Sequence, residues 1–571
     1  FTVTTVKDIS HQHALESIRN SIVQNQDYTA INGFPDVVQA LKELTGNAQI
    51  EFSLLPLFKI NGKLVHDRDI YNRSALFSSA QKNKLNDKEC FLMVEKFVST
   101  PGLLFFSNLE KEVPAEHTAT LVLQEEGIKS YALLPVYYNT KLVGAIEIYS
   151  KKKEIINDKV LRLVESAGEL LAHLMHNSVT ALQMEIEAVI KEKYTSMQPS
   201  VQWKFAEVAW QYLQQKKSAT NPVIEDIEEI VFRNVFPLYG AVDIRNSTIE
   251  RNLAMLKDNT IQVEILIKVL NLLKDKTNFG LLEEKIFLTN KWLLLLTDKE
   301  QVFNQQVKLN DFLENNISPF LNTFTENNDE LKGIAQAYYN AIDEKTGDAF
   351  KFRRCLEISM TKVISTVNTY FDQLKEDIQK AYPFYFEKFR TDGVEYDIYI
   401  GQSISPDIPY SDIYLKNLRL LQLKSMAAIA KYTDALLPHL PNPVETTQLI
   451  FIHSQPIDIL FRIDEKRFDV EGAYNIRYHI IKKRIDKVHL RDSDERLTQP
   501  GKIALVYFSD TEASEYISYI KYLQADDILK DDLEKLQLEE LSGVTGLKAL
   551  RVSVNLSKNS LTEISENPVT P

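Results

Sequence analysis

Two cysteines in 571 residues, Cys90 and Cys355, are too few and too far apart for a disulfide framework or a thiolate zinc cluster. Such sparse cysteine fits a reducing compartment, and the expected location is cytoplasmic. No apolar run approaches the roughly 20 residues that span a bilayer. The densest, KWLLLLTDK at 291–299, is far shorter, so no membrane partner is expected. The opening residues, FTVTTVKDISHQHALES, lack the charged start and apolar block of a signal peptide. Positive charge is also short: 66 Lys and Arg against 79 Asp and Glu leave a net charge of -13. An acidic chain repels phosphate backbones, so general nucleic-acid binding is not expected.

Catalytic signatures are missing too. No Gly-x-x-x-x-Gly-Lys-Ser/Thr loop and no strand-linked Gly-x-Gly-x-x-Gly occurs, and SGVTGLKAL has the wrong spacing. His-Glu-x-x-His and Gly-x-Ser-x-Gly are absent. The close histidine pairs are His11 with His13 and His173 with His176; the latter share a helix face but lack further ligands, and surface histidines are the plainer reading. AVDIRNST (241–248) resembles the first metal-carboxylate segment of class III nucleotide cyclases, where two carboxylates clamp two metal ions. The second segment, a Gly-Asp hairpin some 40 residues on, is not found, and a turn plus helix cap through Asp243 or Asn246 is expected instead.

What is present is an ordinary globular composition, 44% apolar and 25% charged, long enough for several domains. Residues 130–150, SYALLPVYYNTKLVGAIEIYS, read as two apolar strands around an Asn139-Thr140 turn. Leu133, Pro135 and Tyr137 point one way, Leu134, Val136 and Tyr138 the other. On the return strand Leu142, Gly144, Ile146 and Ile148 share one side, Val143, Ala145 and Tyr149 the other. Only Glu147 breaks the apolar run, so both faces are expected to be covered, in a mixed sheet between helical layers. Gly144 predicts close approach by a helix or a ligand.

A long helix is expected from the cap at Asn157 to about 192. Its positions Met175, Val179, Leu182, Ile186 and Val189 are spaced 4, 3, 4, 3. That seam serves either packing within the chain or a homodimer coiled coil through 157–192. From about 200 to 385 the pattern is mostly helical, with the best helix at 258–276 capped by Asp258 or Asn259. After 386 strands and helices mix. The fold class is therefore α+β multidomain: an α/β/α sandwich at 1–180, an all-helical domain at 181–385, a C-terminal α+β domain at 386–560, and a flexible tail at 561–571.

The stretch ALLPVYYNTKLVGAIEIYS followed by INDKVLRLVESAGELLAHLM resembles the GAF domain family over roughly residues 10–180. The whole chain looks like large bacterial signalling proteins in which a GAF domain precedes a region without known chemistry. The resemblance implies a sensor that binds a small molecule between the sheet and the elements above it, and often dimerises through terminal helices. The ligand and any cofactor are unknown. The cyclic-nucleotide motif of that family is not visible. Bilin linkage needs a histidine beside the cysteine, which Cys90 lacks; haem through His66 or His117 is outweighed by exposed loop histidines. Strand parity places ligand contacts at Phe106, Tyr131, Leu133 and Tyr137, with Cys90 and Met93 from an overlying helix. Leu134 and Val136 are then expected to pack on the terminal helices.

Residues 466–502 form a basic island of ten cations and six anions. Arg477, Arg484 and Lys487 fall on one helical face, an anion or partner patch if not simply a solvated one. The expected activity is non-enzymatic signal transduction by helix or dimer rearrangement, with output through an unidentified downstream protein. The alternatives are a ligand-free scaffold, or an unrecognised enzyme in the C-terminal domain with perturbed carboxylates near Asp464 or Glu465.

Overall fold

The computed structural model describes residues 9–24, 34–65, 74–82, 87–112, 118–194, 198–218, 228–297, 299–471, 485–540 and 546–557. The chain divides into two compact units, Phe1–Ile230 with Phe461–Arg467, and Val231–Leu460 with Phe468–Pro571.

The first unit opens with helices α1 (Ser10–Gln24) and α2 (Phe34–Thr45), strand β1 (Glu51–Pro56) and the small hairpin β2 (Lys59–Ile60) and β3 (Lys63–Leu64). Helices α3 (Ala75–Lys82) and α4 (Asp87–Ser99) lead to β4 (Leu104–Phe106), then α5 (Leu109–Glu112) and α6 (Thr118–Glu125). The predicted hairpin follows as β5 (Ser130–Tyr138) and β6 (Lys141–Ser150). Asn139 and Thr140 both take positive φ, 45° and 66°, which matches the twist that two-residue hairpin turns require. The sheet order is β1-β6-β5-β4, and every pairing is antiparallel, so the sheet is not mixed as expected. A short hairpin joins β5 to β6, whereas helices lie between β1 and β4 and between β4 and β5.

Both faces are covered. Phe52, Leu54, Ala132, Leu134, Val136 and Ile146 join the core formed with α1, α2 and the helices that follow the hairpin. Tyr131, Leu133, Ala145 and Phe106 join a second core with Ala75, Leu109 and Leu123. Strand parity is broken once: Val136 opposes Gly144 while Tyr137 opposes Leu142, leaving Val143 as the extra residue of a bulge. Val143 therefore packs with Ile146 rather than with Ala145, against expectation.

The exit helix is two helices. Asn157 caps α7 (Asp158–Ser166), accepting from the backbone N–H of Lys159 and Val160. Ala167 separates it from α8 (Gly168–Lys193), which is followed by α9 (Pro199–Ser218). Gly144 lies under α8: a Cβ there would meet Met175 Sδ at 2.3 Å and Leu55 O at 2.8 Å. The seam residues Met175, Leu182, Ile186 and Val189 are buried within the chain itself, with α8 packing on α9.

The second unit corrects the mostly helical reading of 200–385. Val231–Ile244 is a strand of fourteen residues, β7. Pro237, Gly240 and Asn234, the last at φ 54°, disguise it as a broken segment in the sequence. After β7 come α10 (Ser247–Lys276), α11 (Gly280–Leu295), α12 (Lys299–Asp311), α13 (Ser318–Thr325), α14 (Asp329–Ala341) and α15 (Lys351–Gln379). Helix α10 starts well before 258. Asp258 is buried in its middle and caps α15 instead, accepting from the N–H of Phe352 and Arg353 and pairing with the Arg353 guanidinium.

Strands β8 (Tyr385–Arg390) and β9 (Val394–Ile400) form a hairpin, followed by α16 (Asp412–Leu436) and β10 (Thr446–Phe451). The order β10-β7-β9-β8 is antiparallel throughout, a split β-α-β arrangement in which β9 lies between β7 and β8. The sheet continues through β11 (Ile457–Arg462), β12 (Arg467–Glu471), β13 (Lys502–Tyr507), β14 (Glu534–Gln537) and β15 (Lys548–Ser553), with α17 (Asp510–Ala525) after β13. Thus the helices α10 to α15 are inserted between two strands of one sheet.

Candidate functional site

On the sheet face away from α8, Glu147 stands at 0% exposure. It lies opposite Leu133, beside Tyr131. A buried carboxylate is costly unless its oxygens are satisfied. Here Ala75 N and Leu76 N donate at 2.8 and 3.0 Å, Ser74 Oγ at 3.2 Å and Tyr131 OH at 3.1 Å. The two amides are the first of helix α3, so Glu147 caps that helix from the sheet, where the helix dipole favours negative charge. Burial pushes the Glu147 carboxyl above its ordinary value, with the four donors working the other way. Burial and the adjacent carboxylate hold the Tyr131 hydroxyl protonated, well above the usual tyrosine range. The result is one element, α3, pinned to the sheet by one polar cluster within an apolar layer.

The sequence-selected contacts divide. Tyr131, Leu133 and Phe106 share this face and its core, Phe106 lying directly opposite Tyr131. Tyr137, beyond the bulge, is 46% exposed. Cys90 and Met93 fall within α4, with their side chains outside the described set. His66 and His117 lie outside the described residues, as do Arg477 and Arg484; Lys487 is exposed at the end of a short turn. Glu147 was missed as a site residue, although its break in the apolar run was the signal. His173 and His176 both meet Tyr138: His176 stacks on it at 4.1 Å and 11°, and His173 meets it edge-on at 4.9 Å. Among the described residues no group of three or more potential metal ligands occurs.

A second polar constellation lies in the other unit, at the end of β7. The tip of the β8–β9 hairpin, Thr391-Asp392-Gly393, abuts Asp243. A Cβ on Gly393 would sit 2.0 Å from Val242 O and 2.7 Å from Asp243 Cα, so only glycine permits the approach. The hairpin tip carries a carboxylate, Asp392, in the order Asp-Gly and not as the Gly-Asp pair expected some 40 residues after Asp243. Its carboxylate is engaged: Ser247 Oγ donates to Asp392 Oδ2 at 2.7 Å, and Arg251 pairs with Oδ1 at 2.7 Å. These contacts hold Asp392 below its ordinary range against the opposing effect of burial. Asn246, expected as a side-chain cap, takes φ 55° and makes no cap hydrogen bond. Asp464 and Glu465 sit in the exposed β11–β12 turn, where Glu465 pairs with Arg467.

No family model and no curated protein matches the sequence. Among solved structures, a free methionine-R-sulfoxide reductase from Neisseria meningitidis, in complex with its substrate, aligns with 32% of this chain and 98% of its own length, at 14% identity and a TM-score of 0.20. The GAF domain of an Acinetobacter phosphoenolpyruvate-protein phosphotransferase covers 30% of this chain and 97% of itself, at 10% identity and 0.20. A phycocyanobilin-bound GAF domain from a cyanobacterial phytochrome covers 32% and 98%, at 9% and 0.20. No helix among the described residues is long and apolar enough to cross a membrane.

Proposed function

We propose that the first unit is a GAF-like sensor for a small molecule, held on the sheet face that carries Tyr131, Leu133 and Phe106. The observation that supports this reading is the Glu147 cluster. A buried carboxylate fastens α3 over a sheet face that is mostly apolar, with Ser53 and the Tyr131 and Tyr149 hydroxyls beside it, so a guest entering beneath α3 must exchange with those hydrogen bonds. A ligand that favours one arrangement of α3 over another shifts the population between them. The opposite sheet face packs on α7 and α8, and Gly144 brings α8 onto the backbone of β1 and β6. That contact is the path by which a change on the sheet reaches the exit helices and a cytoplasmic protein partner. The test is a thermal-shift screen of the full chain against a small-molecule panel, run beside Leu133→Trp, which fills the face. A compound that raises the melting temperature of the wild type but not of the variant is expected. No response to any compound, or equal responses in both proteins, overturns the reading.

A second reading, an enzyme in the C-terminal unit, would rest on Asp243 and Asp392, which lie near each other where Gly393 packs on the end of β7. A cyclase-type clamp needs two carboxylates open to two metal ions. Ser247 and Arg251 engage both oxygens of Asp392, so this pair is a closed ion-pair cluster and does not fit the metals. The unit is therefore read as a non-enzymatic output domain. Manganese titration by calorimetry is expected to show no site in the wild type; micromolar binding lost in Asp243→Asn would return the enzyme reading.

A further inference from the structure

Helix α11 carries two apolar stripes. Leu282, Ile286, Thr289 and Leu293 turn into the core shared with α10, α13 and α14. A helix apolar on all sides is normally buried on all sides. Yet Leu281, Phe287 and Leu294 are 52%, 70% and 72% exposed. Positions 281, 284, 288, 291 and 295 are spaced 3, 4, 3, 4, the seam of a helix that packs lengthwise on another helix. They read Leu, Glu, Leu, Lys, Leu, with Phe287 and Leu294 flanking; Leu281 is exposed, whereas Leu288 and Leu295 are half-buried and Leu288 also touches the chain's own core, leaving only its outer edge for a partner. Glu284 and Lys291 are exposed, and Glu284 pairs with its neighbour Lys285 at 3.2 Å.

We propose that this face is a homodimer contact, in which α11 packs antiparallel on α11 of a second copy about a two-fold axis near Leu288. The charge pattern selects both the occupant and the direction. An antiparallel pair about that axis sets Leu288 against its own counterpart and Leu281 against Leu295, and brings Glu284 within one residue, about 1.5 Å of rise, of the level of Lys291, twice over by symmetry. A parallel pair would set Glu284 against Glu284 and Lys291 against Lys291, which is repulsive. Symmetric, self-complementary contacts of this kind are the commonest route to a dimer. Met175, Leu182, Ile186 and Val189 of the α8 seam are already buried within the chain and so are not available to this contact. A helix of this length is about 24 Å long at 1.5 Å per residue. The contact is therefore small, and a dissociation constant on the order of micromolar is expected.

Sedimentation equilibrium of the full chain over a concentration series tests this. The wild type is expected to approach twice 65.7 kDa. Leu281→Asp should weaken the dimer about a hundredfold, and Glu284→Lys or Lys291→Glu alone about tenfold, on the scale where 1.4 kcal/mol is a factor of ten. The double reversal Glu284→Lys with Lys291→Glu restores the wild-type constant, because the ion pairs re-form with the charges exchanged. These exposed positions leave the fold intact, which circular dichroism of each variant checks. A monomer at every concentration overturns the proposal, as does a dimer indifferent to Leu281→Asp or a double reversal no better than the single ones.

Discussion

Glu147 and Asp392 are both carboxylates that tie a helix to a sheet, yet their surroundings drive them in opposite directions. Among the described residues no cation pairs with Glu147; amides and hydroxyls hold it, and burial dominates its proton affinity. Asp392 is part-exposed and faces Arg251, with Lys487 adding to the positive field. The first is a poised, costly group in an apolar layer. The second is a neutralised group of the sort that surface packing produces. The contrast is why the sensory role is proposed for the first unit, and the following experiments act on it.

The largest effect is expected at Glu147. Glu147→Leu strands two buried backbone amides and the Ser74 and Tyr131 hydroxyls, which should destabilise the first unit by about 3 kcal/mol. Chemical denaturation followed by tyrosine fluorescence would register it. Glu147→Gln keeps an acceptor and should cost less than half as much. Next come two glycines. Gly393→Ala drives a methyl into the backbone of β7 and should cost the second unit about 2 kcal/mol, whereas Gly144→Ala meets the movable end of Met175 along with Leu55 O and should cost the first unit slightly less. Denaturation midpoints that rank the other way would upset the packing account.

Acid should separate the two units. Because the Glu147 carboxyl lies above 4.5 when folded, the folded state binds its proton more tightly than the unfolded chain does. Its contribution therefore improves as pH falls from the folded value toward 4.5, and is least favourable above the folded value. Asp392, Glu512, Asp532 and Glu534 are all depressed, Asp392 and Asp532 from 3.8 and the two glutamates from 4.5. Their stabilisation is present above those values and is lost as pH falls from them through the lower folded ones. Hydrogen exchange at pH 4 against pH 7, read unit by unit, should show the second unit loosened more than the first. Glu147→Gln should remove the acid response of the first unit specifically. The smallest effect is Asp392→Asn, an exposed ion pair worth about 0.5 kcal/mol.

The β5–β6 hairpin, its Asn139 turn, the Asn157 cap and the division of Tyr131 and Leu133 from Leu134 and Val136 were all legible, because period-two alternation and capping chemistry are local. The bulge that moved Val143 to the side of Ile146 and exposed Tyr137 was not, since a one-residue slip depends on the partner strand. β7 was hidden by its own Pro237 and Gly240, which sheet neighbours tolerate but a single strand pattern does not announce. The approach of the Asp392 hairpin to the end of β7 was not legible, because about 150 residues separate them and only the close packing of Gly393 on Val242 and Asp243 brings them together. Glu147 was noted as an interruption, but its role depends on Ser74 to Leu76, far away in the chain.

Native mass spectrometry of the purified full chain tests the sensor assignment most directly. A mass above 65.7 kDa per chain by one small molecule, absent from Leu133→Trp, is the predicted result. The bare chain mass for both proteins, under conditions gentle enough to keep non-covalent ligands, would contradict it.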